Sequence, residues 1–271
     1  MRKGILFLLA VLTVFWVKAQ PQATEGSTDF QKTQQPAAII TLPYPDNIVE
    51  KAIDDYMAKK GIKGNDNKGY KIFRTYKLAA THDFNSDLYF KIERKSRTEK
   101  DLTMVYLVVG RNTEDIKTRK LNDSTGNRLD GAKELLNEMV PSIEAYNLEM
   151  QIKAQQDIAI KAQKKLDGLV DDQKSAEKKI RNLEDKLAQN KIDQYKQTDN
   201  IKDNIHNDEK AMAKAQKKLR NLVDDEADYQ KSIRTNQDKI EQSKRNQTAQ
   251  QEEISKQKGI LETLTGKRKT S

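Results

Sequence analysis

After Pro141 the chain contains no proline, and between Gly131 and Gly259 it contains a single glycine, Gly168. A stretch of that length without turn punctuation has few ways to fold other than as long helix. Within it the sequence repeats itself. Lys161-Ala-Gln-Lys-Lys-Leu166 recurs as Lys214-Ala-Gln-Lys-Lys-Leu219, and Leu169-Val170-Asp171-Asp172 recurs as Leu222-Val223-Asp224-Asp225. The offset is 53 residues, and ten of the twelve positions from Lys161 to Asp172 match their counterparts. The duplication covers residues 161–201 and 214–254.

Each copy carries a heptad frame. Placing Ile205 at position a puts Met212, Leu219, Ile233, Ile240, Ile254 and Leu261 at a, with Ala215, Leu222, Tyr229 and Leu264 at d. In the first copy Leu166, Ile180, Leu187 and Ile201 fall at a, and Leu169, Ala176 and Leu183 at d. Because the offset is not a whole number of heptads, the frame slips by four residues between Ile201 and Ile205, a stutter. Gln173, Asn190, Gln194, Glu226, Asn236 and Gln247 also occupy seam positions, where polar residues specify register at some cost in stability. These features predict an α-helical coiled coil over residues 141–265, followed by a basic tail at 266–271. Unbroken from Ser142 to Leu264, such a helix would extend roughly 180 Å at 1.5 Å per residue, and the sequence favours that rod. The alternative folds the chain back near Asn200–Asp208 as an antiparallel hairpin, with Asn200, Asn204 and Asn207 as helix caps. A rod implies a homo-oligomer through the coiled coil; a hairpin is compatible with a monomer.

The N-terminus reads as an export signal. Arg2 and Lys3 precede an apolar stretch from Gly4 to Val17, and Val17-Lys18-Ala19 fits a cleavage site. The stretch is short for a membrane span, which needs about 20 residues. The signal therefore occupies 1–19, with cleavage after Ala19 and a periplasmic or extracellular mature chain without a transmembrane span. Residues 20–37, rich in Gln, Thr, Ser and Gly, are expected to form a flexible leader.

Between Tyr44 and Tyr146 the chain is aromatic-rich, and a small α+β head is predicted over 38–140. Asp46 is placed to cap a helix whose Ile48, Val49, Ala52, Ile53, Tyr56 and Met57 share one face. Tyr70, Ile72, Tyr76 and Leu78 alternate as a strand, as do Leu88, Phe90 and Ile92. Met104 to Val109 is apolar on both faces and should lie centrally in the sheet. Residues 111–128 read as a polar loop. A second helix carries Leu129, Ala132, Leu135, Leu136, Met139 and Val140, and Pro141 should kink or restart the chain after it. The expected order is α-β-β-β-α, an antiparallel meander with both helices on one face, with Ile39-Ile40 as a possible extra edge strand.

Composition bears on function mainly by exclusion. The chain has no cysteine, which removes thiol catalysis, disulfides and Cys-ligated metals. Two histidines, His82 and His206, are too few for a multi-His metal site. His82-Asp83 with Asp87 nearby is conceivable as an acid–base pair, but a solvated turn is the simpler reading. The pairs Asp54-Asp55, Asp171-Asp172 and Asp224-Asp225 sit side by side on helices and do not converge on one ion. No cofactor is expected. Lys91, Arg94, Lys95, Arg97 and Lys100 cluster near the second-to-third strand connection, and Lys267, Arg268 and Lys269 cluster at the C-terminus. With 50 Lys and Arg against 41 Asp and Glu, the charges are interspersed and give no nucleic-acid track. The expectation is an exported, non-enzymatic scaffold or spacer presenting a small interaction domain in the cell envelope. The alternative is a binding module for an anionic envelope component through the two basic clusters, and a third reading is an enzyme acting through the head.

Overall fold

A computed structural model describes residues 20–78, 85–118, 126–204 and 208–270. The export signal, His82, Asp83, Asp123, Ile205, His206 and Asn207 lie outside the described residues. The chain divides into two units, Met1–Glu149 and Met150–Ser271.

The first unit is the α+β head. Its elements are β1 (Thr24–Phe30), β2 (Thr33–Leu42), α1 (Asp46–Lys59), β3 (Asn65–Asn67), β4 (Tyr70–Tyr76), β5 (Ser86–Arg94), β6 (Thr103–Gly110), the short α2 (Thr113–Thr118) and the start of α3 (Gly126–Asn204). The strands form one antiparallel sheet in the order β1-β2-β6-β5-β4-β3. The apolar run of β6 lies inside the sheet, between β2 and β5, as a strand buried on both faces must. One face is covered by both helices. Val49, Ile53 and Met57 of α1 and Leu135, Leu136 and Met139 of α3 pack there on Ile40, Leu88, Phe90, Val105 and Leu107.

Several features depart from the sequence-based expectation. First, residues 20–37 are not a flexible leader, because β1 and most of β2 fall within or directly after them. Ile39-Ile40 belongs to β2, which is not an edge strand but lies between β1 and β6. The β1–β2 hairpin turns through Gln31 and Lys32, both at positive φ (49° and 73°), with Phe30 paired to Thr33. That is the backbone pattern of a two-residue type I′ hairpin, made here without the usual Asn-Gly. The tip carries Phe30 over the second face of the sheet. There its ring meets Tyr70 at 5.0 Å and Tyr89 at 5.2 Å, both edge-on. The Tyr70 hydroxyl donates to the Asp29 carbonyl at 2.6 Å. Phe30, Ala37, Ile72, Val108 and Ile116 complete this second, smaller core.

Second, the alternation of β4 is broken. Tyr70 and Ile72 face the second core, while Tyr76 and Leu78 join Phe73 on the helix-covered face. A register shift between Phe73 and Tyr76, with Thr75 at φ 58°, moves the later side chains across the sheet, as a bulge does. Third, residues 111–128 are not all loop: α2 occupies part of them, and its Ile116 is fully buried. Asp46 is the first residue of α1, with Pro45 in the cap position and no side-chain cap bond.

Helix α3 continues through Pro141 without restarting. Pro141 is exposed, so the single donor it removes lies on the solvent side.

The second unit contains the rest of α3 and α4 (Glu209–Thr270). The chain folds back on itself, and the single unbroken rod is not formed. Gln155 donates to the Gln257 carbonyl at 3.1 Å, Ser243 to the Leu169 carbonyl at 2.9 Å, and Asn190 to the Leu222 carbonyl at 3.0 Å. Residues rising along α3 thus meet residues falling along α4, which defines an antiparallel helix pair. Helix α4 is opened by Asp208, whose carboxylate accepts from the Ala211 N–H at 2.9 Å, an N-cap bond. No glycine or proline was needed for the reversal.

Candidate interaction surfaces

The basic cluster of the head lies at the end of β5 and the connection to β6. Its members are largely neutralised by neighbours. Lys91 pairs with Glu93 at 2.9 Å and lies over the Tyr106 ring at 5.3 Å. Arg94 reaches the Asp46 carboxylate with two nitrogens, at 2.9 and 3.3 Å. The guanidinium beside Asp46 holds its carboxyl below the usual carboxylate range. Lys95 approaches Glu99 at 3.9 Å, while Arg97 and Lys100 stand exposed. In the second unit Lys267, Arg268 and Lys269 form the last turn of α4 and are exposed. Cations at that end also match the helix dipole, so their position has a structural reason independent of any ligand.

A second polar cluster lies on residues that carry no candidate role in the sequence. Lys71 on β4 is nearly buried and is held by Glu50 at 2.9 Å and Asp54 at 2.5 Å, both on α1, with Asp66 at 3.8 Å. An open cleft of about 640 Å³ beside it is lined by Asp54, Ile62, Lys63, Gly64, Asp66 and Lys71. The ammonium group already sits among the carboxylates, so the cluster closes on itself as an ion-pair network. Apolar alternation in the sequence puts Lys71 on the polar face of β4, and its partners Glu50 and Asp54 come from α1, so no local spacing signals this cluster.

Asp87 is also buried rather than part of a solvated turn. Its carboxylate accepts from Arg74 at 2.9 Å, from the Thr75 N–H at 3.2 Å and from the Tyr89 hydroxyl at 3.4 Å. Tyr89 in turn lies 3.0 Å from the Thr113 hydroxyl, and burial pushes its phenol upward in pKa. The carboxylate thereby satisfies the free N–H of the bulge at Thr75, which is a structural task. A third cluster joins α1 to α3: Tyr56 donates to Glu138 at 2.6 Å, and Lys60 does so at 3.3 Å. The hydroxyl of Tyr56 holds Glu138 below the usual carboxylate range, and burial pushes Tyr56 up to about 12.

In the helix pair, the predicted seam residues from Leu166 to Leu264 are buried or half-buried, except Ile205, which lies outside the described residues. Much of what they share the seam with is polar. Gln155, Asn190, Gln197, Asn236, Ser243, Gln250 and Gln257 are buried alongside Ala162, Ala176, Ala215 and Ile254. Gln194 donates to Glu226 at 2.8 Å, and Gln247 donates to Gln173 at 2.8 Å. A groove of about 370 Å³ beside this seam is lined by residues of both helices, among them Asp172, Lys179, Lys239 and Asn246. Away from the seam, Ile192 and Tyr195 are exposed, Tyr195 by 74%.

Among the described residues, no three His, Asp or Glu side chains are grouped to hold a metal ion. No helix among them is long and apolar enough to cross a membrane. Set beside known proteins, the chain matches no family model, no curated protein and no solved structure.

Proposed function

We propose that this chain is an exported, non-enzymatic interaction protein, in which the α+β head offers a binding surface and the helical unit serves as a spacer packed as a coiled coil. The observation that supports this reading is the seam between α3 and α4. Positions repeated over residues 161–201 of α3 and 214–254 of α4 are used to hold the two helices together. The clustered charges of the head are likewise committed to one another: Lys71 to Glu50 and Asp54, Arg94 to Asp46, Arg74 to Asp87. Export rests on Arg2, Lys3 and the apolar stretch that follows them. Because α4 fills the seam of α3, the spacer role does not require a second chain.

Expression of the full-length chain in a bacterial host, followed by fractionation and N-terminal sequencing, tests the export part. A mature N-terminus at Gln20 outside the cytoplasm supports it, and an uncleaved chain retained in the cytoplasm overturns it. Light scattering of the mature chain tests the spacer part. The mass of one chain is expected at micromolar concentration, and an obligate oligomer overturns it. A second reading, recognition of an anionic envelope polymer, is favoured by the exposure of Arg97, Lys100 and Lys267–Lys269. Charge reversal at Arg97 and Lys100 that leaves retention on an anionic matrix unchanged removes the head from that reading.

A further inference from the structure

The two copies of the duplicated sequence lie against each other in the helix pair, and the polar contacts of one are reproduced in the other. Asn190 and Gln194 both donate to the Leu222 carbonyl, at 3.0 and 3.3 Å. Their counterparts 53 residues on, Ser243 and Gln247, both donate to the Leu169 carbonyl, at 2.9 and 3.3 Å. Leu169 is the counterpart of Leu222. Gln194 also donates to Asn190 at 2.7 Å and to Glu226 at 2.8 Å. Gln247 donates to Ser243 at 3.2 Å and to Gln173, the counterpart of Glu226, at 2.8 Å. All four bonds of one cluster therefore have their equivalents in the other. A relation of this kind, in which each helix does to its neighbour what the neighbour does to it, is that of an antiparallel two-fold pair.

We infer that each copy is self-complementary in the antiparallel sense, so that the face which α3 turns to α4 also fits the α3 of a second copy of this chain. In that pairing Asn190 and Gln194 of one chain meet the Leu169 carbonyl and Gln173 of the other, twice over, about a centre between Arg181 and Asn182. The same chemistry selects against unrelated helices. A partner without a side-chain acceptor opposite Gln194 forfeits the bond that Glu226 accepts at 2.8 Å across a half-buried seam, and a lost cross-helix hydrogen bond weakens the pair. In the intact chain the tethered α4 competes at high effective concentration. It thus covers a homodimerisation face and is displaced only when its own fit is weakened. The inference rests on the pairing within the helical unit and is independent of where the protein resides.

The test uses the full mature chain with α4 weakened by Ile233→Glu and Ile240→Glu. The expected result is a doubling of mass in light scattering relative to the wild-type chain, with the helical circular dichroism of α3 retained. The chain has no cysteine, so single probes report the register. In this background Leu183→Cys, near the centre, gives an interchain disulfide on mild oxidation, whereas Ala159→Cys, far from its own copy, gives none. The reciprocal variant, Ile180→Glu with Leu187→Glu, is expected to dimerise through α4. A monomer that loses α3 helicity, larger aggregates, or crosslinking at both probe positions, the mark of a parallel pair, overturns the inference.

Discussion

Phe30 shows how much one side chain decides in the head. It is fully buried at the tip of a two-residue turn and holds β1 against Tyr70 and Tyr89. Phe30→Ala should therefore destabilise the head by about 3 kcal/mol, as deletion of a buried aromatic ring usually does. Denaturant titration followed by tyrosine fluorescence measures it, and an unchanged midpoint would mean that residues 20–37 are loose after all. Asp46 carries a second prediction. Its carboxyl is held below the usual range by Arg94, so its contribution to stability is complete above the ordinary carboxylate pKa of about 4. That contribution is lost as the pH falls through the lowered value. Asp46→Asn should remove this part of the acid sensitivity, flattening the fall in stability below pH ~4 relative to wild type, as read from midpoints taken across that range.

At the level of elements, sequence and structure agree wherever burial follows a regular period. The face of α1 formed by Val49, Ala52, Ile53, Tyr56 and Met57, the alternation of Leu88 and Phe90, and the two-sided burial of β6 are all legible in apolar spacing. The places where reading fails are those where the backbone does something its residues do not advertise. Gln31-Lys32 turns at positive φ without glycine or asparagine, so the hairpin of β1 and β2 looks like a polar leader. Thr75 bulges without glycine, so the period of β4 carries past its true break. The candidate clusters follow the same rule. Lys91 and Glu93 stand two residues apart on β5, so alternation alone brings that pair to one face, whereas the Asp46 partner of Arg94 comes from the start of α1. Lys71 was hidden because its partners come from another element. The start of α4 is likewise set by one side chain. Asp208→Ala removes the bond to the Ala211 N–H and should cost roughly 1 kcal/mol, seen as a lower thermal midpoint of the helical signal with the head unaffected.

The whole chain is organised by the duplication. A heptad seam written twice has two ways to be satisfied, by another chain or by its own second copy; the lack of Gly and Pro near Asn200–Asp208 favours the first in the sequence, and the structure takes the second. The repeated polar clusters mark how the copies meet: in the antiparallel register Gln194 donates to Glu226 and Gln247 to Gln173 at once. The price of such a seam is a less apolar interface, which fits a chain only 35% apolar and 34% charged. The central claim is that α3 and α4 of the same chain lie antiparallel. Spin labels at Asp172→Cys and Asn246→Cys, two exposed positions that flank one groove, test it by pulsed dipolar spectroscopy on chains diluted with unlabelled protein. The account predicts a narrow distance distribution at or below about 30 Å, two labelled side chains across one helix pair. A distribution near or beyond the reach of the method, as required by the roughly 110 Å that an unbroken helix puts between these residues, would contradict it.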